Sequence, residues 1–248
     1  TGGGILIENS REYFIIRHCW FSQSGSGELD AGMYIMKSGN GTITDNIFIN
    51  MRRSILIEFS CDNINITNNY MVGGGFKLYS DCDNILFEGN KVIDCYYPIH
   101  ISKIENTTIK SNYISNNVSE DIQAFKVPIK LVEVNYSKVI YNSFDGQYSK
   151  LKSFVSIVGG SNNNIIKNNT QVVNKTASPS TSVCIPKLSS STDTSLLTLE
   201  NCYNNLIAHN RVYISRSDGG TIPGYDIFLI LGAFCIISAI IAKKVIKK

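Results

Sequence analysis

Asn63-Ile64-Asn65-Ile66-Thr67-Asn68-Asn69 is followed, 21 residues on, by Asn84-Ile85-Leu86-Phe87-Glu88-Gly89-Asn90. In each stretch an Asn is followed three residues later by an apolar residue, and three after that by another Asn. A short alternating run precedes each: Ile55-Leu56-Ile57-Glu58-Phe59, then Phe76-Lys77-Leu78-Tyr79-Ser80. Two copies of one pattern at a fixed spacing mark a repeat, and a repeat decides the fold before any single element does.

The pattern extends in both directions. It reads Asn40-Ile43-Asn46, Asn106-Ile109-Asn112, Asn163-Ile166-Asn169 and Asn204-Ile207-Asn210, with degenerate copies at Tyr13-Ile16-Cys19 and Tyr136-Val139-Asn142. Spacings between closing residues are 27, 23, 21, 22, 30, 27 and 41. The apolar runs are short, rich in Ile, Val, Phe and Tyr, and alternate with period two, which is strand chemistry. A repeat near 22 residues with two or three short strands is too small to close a core alone. Stacking the repeats buries a continuous core and pairs each strand in parallel with its neighbours. The expected fold class is all-β: a right-handed parallel β-helix of about eight coils. The repeated Asn is expected to sit at sharp turns, where it tolerates the left-handed conformation, and to stack as a hydrogen-bonded ladder.

Insertions interrupt the period at 22–32, 116–128 and 174–195. The last of them is expected to be the most mobile. Residues 1–216 are read as the β-helix and the breaker-rich stretch 217–226 as a linker. Residues 227–243 are read as one C-terminal transmembrane helix and 244–248 as a cytoplasmic basic tail. The run Ile227 to Ala242 is uncharged and apolar on all sides, about 24 Å long as a helix. Tyr225 and Val245-Ile246 can extend it toward the ~30 Å hydrocarbon core. The lysines that follow place the C-terminus inside the cell and the β-helix outside. The chain opens on Thr1-Gly2-Gly3-Gly4 without Met and is read as a fragment or processed form.

The chain has 248 residues and a net charge of +3, and Lys243, Lys244, Lys247 and Lys248 supply more than that excess. The remainder is near neutral, which excludes a nucleic-acid binder's basic surface. An outside location agrees with Asn-x-Ser/Thr sequons at Asn40, Asn106, Asn117, Asn135, Asn168 and Asn174. A further sequon, at Asn65, is expected to be a poor acceptor beside core residues. Of the seven cysteines, Cys61, Cys82 and Cys202 recur eight residues before a closing Asn, which points to small buried residues. Spacing alone leaves a Cys61–Cys82 disulfide open.

The Asn-x-x-Ile-x-x-Asn sentences resemble those of right-handed β-helix repeat proteins related to pectate lyases and to the NosD type of periplasmic copper-system protein. The resemblance covers roughly residues 4–215. The tail Ile222-Pro223-Gly224-Tyr225, with its apolar run and lysines, is similar to the Pro-Gly-Phe sorting tails of archaeal surface proteins, with Tyr in place of Phe. The resemblance implies a fold and an extracellular, membrane-held location. It does not name a ligand, since one fold hosts many functions.

Function is sought on the outer face of the strands that open each coil. Alternation turns Ile55, Ile57, Phe76, Leu78, Ile99, Ile101, Ile129 and Leu131 inward. It leaves two outward rows: Leu56, Lys77, His100, Lys130, and Glu58, Tyr79, Ser102, Val132. Glu58, Lys77, Tyr79, His100 and Lys130 then form one patch. Such a set suits a lyase on acidic sugars, with Tyr79 or His100 as acid or base and Lys77 or Lys130 as the stabilising cation. No arginine is expected on this face. Glu58 lacks a partner carboxylate for glycoside hydrolysis. Tyr79, Tyr96, Tyr97 and Tyr113 are candidate carbohydrate-binding aromatics. His18, His100 and His209 do not converge in the repeat scheme, so neither a metal site nor a cofactor is expected. The leading expectation is a surface module that binds glycan or a partner protein without catalysis. A polysaccharide lyase is the alternative.

Overall fold

The computed structural model describes residues 4–22, 31–95, 98–116, 127–146, 153–174, 195–199, 206–208, 211–215 and 221–222. These residues form strands and turns; there is no helix among them, and none long and apolar enough to cross a membrane. The tail from Ile227 onward lies outside the described residues, as do the inner parts of the three insertions.

Each turn of the chain lays one strand into each of three sheets, which hold eight, eight and nine strands. The first sheet contains Arg53–Glu58, Gly75–Tyr79, Ile99–Glu105 and Ile129–Asn135 in consecutive order. The second contains Asp62–Thr67, Asp83–Glu88 and Thr108–Lys110, and the third Tyr70–Val72, Lys91–Ile93 and Tyr113–Asn116. Neighbouring turns pair in parallel throughout, which is the all-β parallel solenoid that the repeat implies. A final short strand, Thr221–Ile222, pairs antiparallel with Arg211–Ser215, inside the stretch read as linker.

The core follows from register. Ile43, Ile66, Phe87, Ile109, Val139 and Ile166 lie opposite one another up the second sheet, each at most 1% exposed. Ile55, Phe76, Ile99 and Ile129 do the same in the first sheet, and Phe48, Met71, Val92 and Ile114 in the third. Phe76 and Phe87 stack across the interior with centroids 4.6 Å apart. Apolar side chains stacked on like neighbours leave water no entry, so each turn stabilises the next.

The closing Asn residues form the expected ladder, but not by the expected backbone geometry. The backbone N–H of Asn46 donates to Asn69 Oδ1 (3.0 Å), that of Asn69 to Asn90 Oδ1 (2.9 Å), and that of Asn90 to Asn112 Oδ1 (2.9 Å). Each side-chain amide donates to the next Oδ1 and to a carbonyl of the preceding turn, as Asn90 Nδ2 does to Asn112 Oδ1 and Ile66 O. The ladder continues through Asn142 to Asn169, with Cys19 at its other end. None of these Asn residues is left-handed. The residue just before each one is: Asp45, Asn68, Gly89, Ser111, Tyr141 and Asn168 have φ of 54–66°. The opening Asn of the pattern is left-handed as well, at Asn40, Asn63, Asn84, Asn106 and Asn163. A ladder Asn must aim its amide inward along the stack, so its neighbour absorbs the turn.

The repeated cysteines stand in a second ladder. Ser38 N–H donates to Cys61 Sγ (3.5 Å) and Cys61 N–H to Cys82 Sγ (3.4 Å). Both thiols are buried and free, and donate to the carbonyls of Glu58 and Tyr79. Cys202 lies outside the described residues.

Candidate functional site

The outer face of the first sheet carries the predicted rows in the predicted register. Lys77 lies opposite Leu56 and His100, and His100 opposite Lys130; Tyr79 lies opposite Glu58 and Ser102. Consecutive turns sit about 4.8 Å apart, so Glu58, Lys77, Tyr79, His100 and Lys130 share one surface. All five are half-buried. Leu56 points out with them yet is only 4% exposed, lying in register between the longer side chains of Tyr34 and Lys77.

Two of the five side chains bond to each other. Tyr79 Oη and His100 Nδ1 lie 3.2 Å apart, with the rings edge to face at 74°. Burial, then the charges of Lys130 and Lys77, pushes the His100 imidazole down to about 4. It is therefore neutral at pH 7, a hydrogen-bonding group rather than a charge. Burial also lowers Lys77, as do the charges of Arg53 and Arg52, against an opposing pull from Glu58.

Tyr34 is absent from the predicted patch and belongs to it; Arg53, also absent, bears on it through its charge. Tyr34, one turn earlier and opposite Leu56, donates its hydroxyl to Glu58 Oε2 at 2.8 Å. Burial and that bond push its phenol up to about 12, so it stays a donor and holds the carboxylate in place. Extending the outward row back one turn finds it. Arg53 is the larger correction, because no arginine was expected here. Strict alternation from Ile55 turns Arg53 inward. The register slips between Gly75 and Phe76, opposite this strand, and Ser54 is itself buried with its hydroxyl on Gly74 O (2.7 Å). Alternation fails at that point, and the charges of Arg53 and of exposed Arg52 bear on Lys77.

The predicted aromatics do not form one set. Tyr113 stands on the third sheet, in register with Lys91, whose ammonium lies 5.5 Å and 5.7 Å from the Tyr70 and Tyr113 ring centres. Its hydroxyl donates to Asp145 Oδ2 (3.0 Å). Tyr113 and Tyr79 therefore serve different faces. Tyr96 and Tyr97 lie outside the described residues.

The sequon asparagines divide similarly. Asn40 and Asn106 are exposed, Asn135 and Asn168 are half-buried, and Asn117 lies outside the described residues. Asn174 ends the strand Thr170–Asn174. Asn65 is exposed: it points out between buried Ile64 and Ile66, so its place in a core strand does not hide it.

A copper centre, as the resemblance suggests, needs converging imidazole, thiolate or thioether donors. Among the described residues no three His, Cys, Asp or Glu come together. His100 is engaged with Tyr79, and His18 is exposed at a turn of the first coil. Cys61, Cys82 and Cys95 place their thiols on carbonyls, and Met33, Met51 and Met71 are sealed in the core. That donor set does not fit copper. His209 lies outside the described residues.

Comparison with solved structures finds the same fold in an enzyme. The crystal structure of DFA-IIIase from Arthrobacter chlorophenolicus A6 in complex with GF2 superposes with a TM-score of 0.56 at 15% identity, over 87% of this chain. The C387A mutant of that enzyme gives 0.57 at 15% identity, over 88%. The chain spans 60% and 49% of the lengths of those two structures, respectively. No curated protein matches it. A family model does: that of the periplasmic copper-binding protein (NosD), over residues 1–150, more than half of the 248. With the ladder, the parallel sheets and this match in hand, the chain belongs to the NosD family.

Proposed function

We propose that this protein is a right-handed β-helix of about eight turns, held at the outer surface of a cell membrane, that binds glycan on the outer face of its first sheet without chemical turnover. The carrying observation is the Tyr79–His100 unit, hydrogen-bonded at 3.2 Å and set between Lys77 and Lys130 on successive turns. Neutral imidazole and phenol offer hydrogen bonds and ring edges to sugar hydroxyls, and a rigid sheet presents them with little ordering cost. A periplasmic family, the sequons and the apolar run Ile227 to Ala242 support an outside, membrane-held location. The fold is one on which DFA-IIIase holds GF2.

A second reading, a lyase acting on acidic glycans, is favoured by one observation. Arg52 and Arg53 bear on Lys77, which supplies the cations an enolate-like intermediate needs. The two readings separate in one assay. The full chain is incubated with a panel of uronate and neutral polysaccharides, scoring retention on the polymer and ultraviolet absorbance of unsaturated ends. Retention without new absorbance, weakened at least tenfold by Tyr79→Ala, supports the binding module. Absorbance that grows with time and disappears in Lys77→Ala or His100→Ala makes the protein a lyase. Absence of both ends the glycan reading and leaves a surface-protein partner as the occupant to seek.

A further inference from the structure

The third sheet has an apolar outer face. In its first four turns the strands Trp20–Ser22, Ile47–Ile49, Tyr70–Val72 and Lys91–Ile93 point Phe21, Phe48, Met71 and Val92 into the core. Register then leaves two outward rows. One holds Trp20, Ile47 and Tyr70, the other Ile49, Val72 and Ile93. Trp20 is 66% exposed and Tyr70 37%, and the four aliphatic side chains are half-buried. On the same turns the second sheet shows Arg17, Thr44, Thr67 and Glu88 in one outward row. These four strands of the third sheet carry a single charge, Lys91, whose ammonium lies beside the Tyr70 and Tyr113 rings. A contiguous apolar face of this kind marks a surface that meets something other than water.

Where the chain leaves this sheet indicates the occupant. The last strand of the third sheet, Thr221–Ile222, leads within five residues to Ile227, the start of the uncharged apolar run proposed above to hold the protein at a membrane. That run follows directly on this sheet and on neither of the others. The face also has the composition of a lipid interface, where Trp and Tyr gather and Lys reaches toward the headgroups. We propose that the outer face of the third sheet lies on the lipid surface with the solenoid axis along the membrane. Trp20, Tyr70 and the four aliphatic side chains then sit at the boundary of acyl chains and headgroups, and Lys91 meets lipid phosphate. The tether holds the face at high effective concentration, so the face orients the protein without having to bind lipid alone. In this pose the first sheet, with Tyr79 and His100, stays clear of the bilayer for its glycan. The inference rests on the proposed membrane-held location and deepens it by naming the face that meets the lipid.

Trp20, the chain's one tryptophan, reports the pose. Its strand and Thr221–Ile222 close opposite ends of the nine-stranded sheet, about 38 Å apart, so a solenoid standing upright on its anchor keeps Trp20 far from lipid. The full chain is reconstituted in vesicles of phosphatidylcholine and phosphatidylglycerol, with and without lipids brominated near the headgroup end of their acyl chains. Flotation reads the anchor, and Trp20 fluorescence reads the face. The control is Ile15→Trp in a Trp20→Phe protein; Ile15 is 54% exposed on the same turn but on the second sheet. The vesicles carry the protein upward, brominated lipid quenches Trp20 at least twofold, and the Ile15→Trp reporter is quenched much less. Val72→Glu floats as the parent does and loses at least half of the Trp20 quenching. Should that variant fail to fold, the two tryptophan positions decide alone. Flotation with Trp20 unquenched, with both positions quenched alike, or with Val72→Glu quenched as the parent is, overturns the membrane face and leaves the anchor standing. Protein that does not float overturns both.

Discussion

At the scale of single residues, the Asn ladder has the sharpest energetics. Asn90 is 1% exposed; it receives two donors from Asn69 and gives its own to Asn112 Oδ1 and to Ile66 O. Asn90→Ala takes from the buried Asn69 backbone N–H its acceptor and from Asn112 Oδ1 and Ile66 O a donor. The expected loss is roughly 2–5 kcal/mol, read as a lower urea midpoint at unchanged slope. An equal midpoint would mean that water replaces the amide. His100 makes a pH prediction. Its folded pKa is about 4 against an ordinary 6.5. Between those values the unfolded chain binds a proton that the folded chain does not. The contribution is therefore full above about pH 6.5 and is lost as pH falls toward 4. Half-exposure screens the effect to roughly 1–2 kcal/mol. Melting temperature should fall more steeply from pH 7 to pH 4.5 in the parent than in His100→Gln, and parallel slopes would refute the assignment.

At the scale of the strand, what matters is the stack. Phe87 lies between Ile66 and Ile109 in the second sheet and against Phe76 across the interior, fully buried. Phe87→Ala opens a cavity that neighbouring turns cannot close without slipping their own ladders. The expected loss is about 3–5 kcal/mol, measured by denaturant titration. Phe87→Leu, which keeps most of the volume, should cost less than half of that. Register explains why such stacks were legible. With period two and one Asn per turn, the order Lys77, His100, Lys130 could be written down from the repeat alone. Arg53 could not. Its side depends on buried Ser54 and a slipped register opposite Gly75, and a local irregularity leaves no trace in a pattern of alternation.

For the whole molecule, the prediction concerns location. With an apolar run at Ile227 to Ala242 followed by lysines, the full chain should sediment with membranes and resist carbonate extraction. A version ending before Ile227 should remain in the soluble fraction with the same β-sheet circular dichroism. Equal partitioning of both would remove the anchor from the proposal.

The sequence by itself determined the solenoid, its core rows, the Asn ladder and the five-residue patch. Each follows from a period, and a period is a property of the chain. Tertiary structure decided the rest. It moved the left-handed turn from the ladder Asn to its predecessor, placed Tyr113 on a different face from Tyr79, turned Tyr34 onto Glu58, and set the charge of Arg53 against Lys77. These depend on how two turns of unequal length lie on each other. Repeat spacings of 21 to 30 residues leave that contact open until the backbone closes it.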